Sequence, residues 1–300
     1  MGAPGDPQMA PFSLVFESFG ACVGVSTNEA AIFDAVAEHL PVKSRRLASA
    51  DPENRFSLWS NEVPGRAEGA KTYSLYEGEF LVLSTSDPNV ALEQLARELD
   101  AVVALDAPTS LFVHAGVAGW QDGAIVIPGR SMTGKTSLVA ALVKAGATYY
   151  SDEYAVFDRH GLVHPFPKPL HLRTRPQGTT EKIDATKLGG RIGTRAIPVT
   201  LLVATHYDAE AQWQPTLLTP GQAVLRLFDN TVDARRRPEG AIDIFTQVAA
   251  DCVAISGPRP SAKRVAPSLL ALCEQINRKA ASVAGSKRQD RLDLAFLSDL

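Results

Sequence analysis

The pattern of apolar and polar positions divides the chain into two textures. Residues 13–25 (SLVFESFGACVGV) form an apolar run that predicts a strand, and Ser26-Thr27-Asn28-Glu29 then offers capping residues for a helix carrying Ile32, Val36 and Leu40 on one face. Short runs at 55–60, 72–76 and 80–85, each bounded by turn residues, predict three further strands. After Asp87-Pro88, the spacing of Val90, Leu92, Leu95, Leu99 and Val102 predicts a helix capped by Asp87. Residues 1–108 therefore read as a small α+β domain.

From Ser110 the order becomes strand (SLFVHAGVAGW), turn (QDG), strand (AIVIPG), glycine-rich loop and helix (RSMTGKTSLVAALVKAG). Further strands are expected at 147–151, 154–158, 199–205 and 252–256, with helices near 221–232, 240–250 and 266–279. These place an α/β domain over 109–279. Residues 280–300 are left as a C-terminal tail whose apolar ending, LDLAFLSDL, reads either as a docking helix or as chance periodicity.

Composition narrows the function classes. With 45% hydrophobic and 21% charged residues the chain can build a core, and 300 residues suggest about two domains. Thirty Lys+Arg against 33 Asp+Glu give a net charge of −3, without the basic excess of a protein that coats nucleic acid or an anionic membrane. Cys22, Cys252 and Cys273 are odd in number and scattered, which argues against a disulfide framework or a cysteine zinc site and fits a reducing cytoplasm. The start lacks a basic segment leading into an apolar run, Asp6 stands where a myristoylation signal wants Ser or Thr, and no run approaches the ~18 apolar residues of a membrane span. The expectation is a soluble cytoplasmic protein with no nucleic-acid or membrane partner.

The chemistry centres on Gly129-Arg130-Ser131-Met132-Thr133-Gly134-Lys135-Thr136, which satisfies G-x-x-x-x-G-K-[ST] between a predicted strand and a predicted helix. In that setting, backbone N–H groups and the positive helix end, extending to Ser137, converge on one anion site. Lys135 is expected to reach the β- and γ-phosphates of ATP, and the Thr136 hydroxyl to hold Mg²⁺. The next predicted strand ends in Asp152-Glu153. One carboxylate can serve the metal and the other can accept a proton from an acceptor hydroxyl, but adjacent strand residues face opposite ways, so sharing a site requires the strand to end or bulge there.

Residues 114–173 resemble the catalytic domain of the HPr kinase/phosphorylase family. The resemblance is carried by His114 fifteen residues before the loop, the loop itself, LVKAG at the helix end, and YSDEYAVFD with Asp152 seventeen residues after Lys135. It implies a P-loop kinase domain with a mixed central sheet, of the HPr kinase/PEP carboxykinase kind; the small α+β domain that precedes it lies outside the resemblance. It also implies an active-site role for His114, which on its strand alone reads as a core histidine. Met132 stands where that family usually has Gly, Glu153 replaces a second Asp, and HPFPKPLHLR (164–173) stands where the family has a segment with a metal-binding Glu. LTPGQAVLR only faintly echoes the family's late Pro-Gly-Arg segment, with Gln222 in place of Arg. These departures resemble the divergent relatives and make HPr itself an unlikely acceptor.

The remaining candidates divide in the same way. His160, His164 and His171 lie among Gly161, Pro165, Pro167 and Pro169, which exclude a helix and strip their spacing of meaning as metal ligands. Arg235-Arg236-Arg237 reads as a solvated charge run, while Arg173 is a candidate for neutralising charge on the transferred phosphoryl group. The expected activity is an ATP-dependent, Mg²⁺-dependent kinase. Thr136 and Asp152 hold the metal, Glu153 or Asp152 acts as base, and a serine of a peptide or protein, or a small-molecule hydroxyl, is the acceptor. The alternatives are an amino-acid or sugar kinase and a nucleotide-binding regulatory module, and the parent family's hexamers imply self-association.

Overall fold

The computed structural model describes residues 10–63, 69–130, 132–173, 180–234 and 236–282, and the chain divides into two compact units, Met1–Thr109 and Ser110–Leu300. Both are mixed α/β.

In the first unit, β1 (Phe12–Ser18) and β2 (Ala21–Thr27) form an antiparallel hairpin where one strand over 13–25 is expected. The chain reverses at Phe19-Gly20, whose φ values of 49 and 85 make the mirror-image turn that suits strand twist. Phe at the first turn position hides that reversal inside an apolar run. The helix α1 (Ala30–Glu38) buries Ile32 and Val36, but its capping differs from expectation. Glu29 at the N-cap makes no side-chain cap bond; its carboxylate accepts from Ser60 Oγ at 2.6 Å and Lys71 Nζ at 2.8 Å.

A three-residue strand, β3 (Arg45–Leu47), precedes β4 (Asn54–Glu62), β5 (Lys71–Glu77) and β6 (Phe80–Thr85). The sheet order is β3-β1-β2-β4-β5-β6, antiparallel except for the β2–β4 pair. The helix α2 (Pro88–Asp106) begins where Asp87 Oδ1 accepts from the Asn89 N–H at 2.9 Å, and it buries Leu92, Leu95, Leu99 and Val103.

The second unit is organised by β7 (Ser110–Trp120). Its first half pairs with β10 (Tyr154–Asp158), and its second half lies between β8 (Gly123–Pro128) and β9 (Thr148–Ser151). The strand β14 (Ile197–Tyr207) runs parallel to both β8 and β16 (Val253–Arg259). With β11 (Leu162–His164) and β15 (Thr216–Leu217) these strands make a mixed eight-stranded sheet, while β12 (Leu170–Arg173) and β13 (Thr180–Ile183) form a separate ribbon.

The helices of this unit are α3 (Lys135–Lys144), α4 (Pro220–Phe228), α5 (Pro238–Asp251) and α6 (Ala262–Ser282). Ile125, Ile127, Leu201, Val203 and Ile255 join α3 and α6 in one core; Ala124, Val126, Leu202 and Ala254 join α4 and α5 in another. Alternate residues of the central strands thus serve two buried faces, which is why these strands read as unbroken apolar runs.

Several boundaries move. α4 stops at Phe228 instead of near 232, because the Asn230 carbonyl accepts from the His114 N–H and the Val232 N–H donates to the Phe112 carbonyl. Within LTPGQAVLR, Thr219 and Gln222 form a reciprocal capping box that starts α4. α6 continues past 279 to Ser282, and the LDLAFLSDL ending lies outside the described residues. The arginine run is not simply solvated. Arg237 Nε donates to the buried Asp233 carboxylate at 2.6 Å and Nη2 to the Ser110 carbonyl at 3.3 Å; Arg235 is outside the described residues. Among the described residues, no helix is long and apolar enough to cross a membrane.

Candidate functional site

The glycine-rich loop joins β8 to the start of α3, as its sequence context predicts, and its carbonyls are tied away from the space in front of it. Thr133 Oγ1 and Lys135 Nζ donate to the Arg130 carbonyl at 3.0 and 2.8 Å; the Tyr207 N–H donates to the Thr133 carbonyl at 3.2 Å. The Gly134 carbonyl accepts from Arg259 Nη2 at 2.7 Å. Because a trans peptide points its C=O and the following N–H in opposite directions, a tethered carbonyl fixes the aim of the next N–H. The loop is anchored at its other end by the Gly129 N–H, which donates to the His114 carbonyl at 3.1 Å. Met132 adopts φ 75 and is 74% exposed. That conformation strains a non-glycine residue. Ser131 lies outside the described residues.

The carboxylate pair falls in the break between β9 and β10. Ser151 faces Val117 and Tyr154 faces His114, so both strands follow β7 in line, and Asp152-Glu153 fall between the two paired stretches, as Tyr150 does at a register shift within β9. Ser151 Oγ accepts from the N–H groups of Glu153 and Tyr154 at 3.2 and 3.0 Å, closing a local turn that interrupts the alternation. Both acids consequently reach one cleft of about 430 Å³, whose walls also include His114, Lys135, Thr136 and Ser137.

The electrostatics of this cleft follow from crowding. Burial pushes the Asp152 carboxyl up to about 7; the Thr136 hydroxyl, the Lys135 charge and the His171 backbone N–H favour the ionised form, while Glu153 repels it. Loss of hydration lowers Lys135, with Asp152 and Glu153 opposing. His114 is lowered first by partial removal from water and also by Lys135, against Glu153, which favours a neutral imidazole near pH 7.

The folded chain therefore holds the Asp152 proton at pH values where the unfolded chain, with the ordinary aspartate value of 3.8, has released it. This group's contribution to stability is accordingly lost as pH rises from about 4 through 7. Asp152→Asn is expected to raise the melting temperature of metal-free, ligand-free protein by a few degrees at pH 8 and to change it little at pH 4. An equal gain at both pH values would assign the effect to something other than ionisation.

The hydroxyl of Thr136 and the carboxylate of Asp152 present adjacent hard oxygen donors, and Asp152 Oδ1 is buried without a hydrogen-bond partner. Such a pair fits Mg²⁺, which takes one or two protein oxygens and fills its shell with phosphate and water. Among the described residues there is no group of three or more His, Cys, Asp or Glu of the kind that would cage a metal by itself. His164 instead pairs with Asp158 at 2.9 Å, and His160 Nε2 accepts from Arg159 Nε at 3.0 Å.

Nothing in the sequence singles out Lys168 or Arg259. The Pro-rich segment before β12 is pinned to β9, through Phe166 N–H to the Tyr150 carbonyl and Tyr149 Oη to the Lys168 carbonyl, and this brings Lys168 and His171 to the cleft wall. The alternation of Pro165, Pro167 and Pro169 with Phe166, Lys168 and Leu170 is the signal of an extended edge segment. Arg259, 1% exposed at the end of β16, carried no signal at all. Arg173 begins from β12, and its side chain is outside the described residues. The strand expected over 199–205 is β14, which runs parallel to β8; its end residues, His206 and Tyr207, do not line the cleft. No protein-family model and no curated protein matches the chain.

Proposed function

We propose that the protein is an ATP-dependent phosphotransferase of the HPr-kinase-like kind, moving the γ-phosphoryl group of ATP to a hydroxyl, with a serine of a peptide or protein other than HPr as acceptor. One observation carries the reading: the G-x-x-x-x-G-K-T loop, Lys135, Thr136 and two carboxylates share a single cleft. Backbone N–H groups of residues 132–136, at the N-terminus of α3, would hold the phosphate chain. Lys135 would then exchange the Arg130 carbonyl for phosphate oxygens. Thr136 and Asp152 would hold Mg²⁺, whose chemistry there would be to offset the negative charge of the phosphates.

Glu153 is exposed in the cleft and lies within electrostatic reach of the neutral-leaning His114, so it is the base of choice, with Asp152 committed to Thr136. The acceptor O–H bond breaks, and its proton passes to the Glu153 carboxylate. The acceptor oxygen bonds to the γ-phosphorus as the bond to the β,γ-bridging oxygen breaks, and ADP leaves. Arg173, from β12, would supply further positive charge, and the first unit would help recognise the acceptor.

A second reading, a nucleotide-dependent regulatory module without transfer, is favoured by Met132, whose side chain stands exposed at the loop. Incubating the protein with Mg²⁺ and γ-labelled ATP, with peptide and metabolite pools in parallel, separates these readings. Label in the peptide pool supports the first, and label in the metabolite pool points to an amino-acid or sugar kinase. Tight ATP binding with no transfer to either pool supports the regulatory module. In the transfer-active case, Glu153→Gln is expected to slow transfer by roughly 10²–10⁴-fold, the range of a lost general base, while ATP affinity barely changes.

A further inference from the structure

The loops that follow the three parallel strands β8, β14 and β16 lie side by side and are stitched together. The Tyr207 N–H donates to the Thr133 carbonyl at 3.2 Å, and the Asp208 N–H to the Arg259 carbonyl at 2.9 Å. Arg259 spans the join, with Nη2 on the Gly134 carbonyl at 2.7 Å and Nη1 on the Pro260 carbonyl at 3.0 Å. At Pro260 a second hollow, of about 320 Å³, opens between the loop after β14 and the first turns of α6; Gln212, Trp213, Arg264 and Ser268 line it.

We propose that this hollow receives the purine base of the nucleotide whose phosphates occupy the cleft, an inference that rests on the nucleotide reading above. Position is the first argument. Ligands of open α/β sheets lie outside the carboxyl ends of the parallel strands, and both the cleft and the hollow stand there, joined through the single guanidinium of Arg259. The second argument is chemistry. Trp213 packs in part against the core and lines the hollow with the rest of its indole, an aromatic surface for stacking, and its Nε1 is buried with no hydrogen-bond partner, a donor that a purine ring nitrogen or carbonyl can satisfy. Gln212 and Ser268 add donors and acceptors for the base edge.

Charge points the same way. Arg259 is 1% exposed, its Nε has no partner, and among the described residues no carboxylate pairs with it. A buried cation held by two carbonyls and the Tyr207 ring, 5.9 Å from its Cζ, is costly, and negative charge bound at the adjoining loop offsets part of that cost. A nucleotide lying across the Gly134–Pro260 join would keep its phosphates at the loop, one peptide away from that cation, while its base enters the hollow.

Calorimetric titration of the full chain with two probes, Mg-ATP and Mg-tripolyphosphate, tests this. The wild type is expected to bind ATP at least tenfold more tightly than tripolyphosphate. Trp213→Ala should weaken ATP by roughly tenfold, as loss of one base–aromatic stack does, and leave tripolyphosphate within about twofold. Trp213→Phe, which keeps a ring, should restore most of the ATP affinity. Equal weakening of both probes, or unchanged ATP affinity in Trp213→Ala, would overturn the base site. Wild-type protein that binds tripolyphosphate as tightly as ATP would overturn it without any variant and leave the phosphate site standing. Wild-type protein that binds neither probe would remove the nucleotide reading itself, and this inference with it.

Discussion

Lys135→Ala is expected to lower phosphoryl transfer by about 10²–10³-fold, the loss seen when one preorganised donor to developing charge is removed. Lys135 is the first residue of α3, and its ammonium carries a full charge where the helix end offers only partial ones. It also faces Asp152 and Glu153 electrostatically, so the substitution acts twice. The phosphate oxygens lose a cation, and Asp152, whose carboxyl burial already pushes up to about 7, loses the charge that favours its ionised form. The variant should therefore bind Mg-ATP more weakly and need a higher pH to do so. Single-turnover label transfer at saturating Mg-ATP, with binding followed from pH 6 to 9, checks both effects. Transfer above a tenth of wild type would show that this loop is not the phosphate site.

Gly134→Ala is expected to have the next largest effect, and for a reason the motif alone does not contain. Gly134 has φ +86, and an added Cβ would lie 2.6 Å from Arg259 Nη2 and 3.5 Å from Tyr207 Cβ. An arginine tip usually moves aside, but this one is 1% exposed and held between the carbonyls of Gly134 and Pro260. Left-handed backbone at a non-glycine residue costs about 1–2 kcal/mol, and a core overlap adds about as much again. Melting temperature should fall by several degrees, and Mg-ATP affinity by tenfold or more, because the same shift misdirects the Lys135 N–H. Gly129→Ala is the comparison: its Cβ would meet Thr133 Oγ1 at 3.0 Å, a rotatable hydroxyl, and it should cost less stability. Equal destabilisation by the two substitutions would remove Arg259 from the explanation.

AIVIP, the loop and TSLVAALVKA are contiguous, so the strand, turn and helix that frame Lys135 follow from local pattern and from burial of β8 on both faces. The α2 helix and its Asp87 cap are local in the same sense. The Phe19-Gly20 reversal was hidden because its first turn residue is aromatic, and apolar counting has no register for a turn without polar residues.

The acid pair stood at the limit of local reading. Alternation alone sends Asp152 and Glu153 to opposite faces; the Ser151 turn and the bond from the Ala115 N–H to the Glu153 carbonyl at 3.1 Å bring both to one cleft. Arg259 lay beyond that limit. Its partner Gly134 is 125 positions away, and nothing in SGPRPSAKR distinguishes a buried arginine from its exposed neighbours.

Residue order, then, was enough for the loop, its flanking elements and the kinds of atoms offered to a ligand, because each depends on neighbours within a turn or a strand. Tertiary packing alone decided that the two carboxylates share a cleft with Lys135, that a buried cation fixes the Gly134 peptide, and that a second hollow stands beside it. Those relations join strands far apart in the chain, and their energetics arise only when packing removes water from between them.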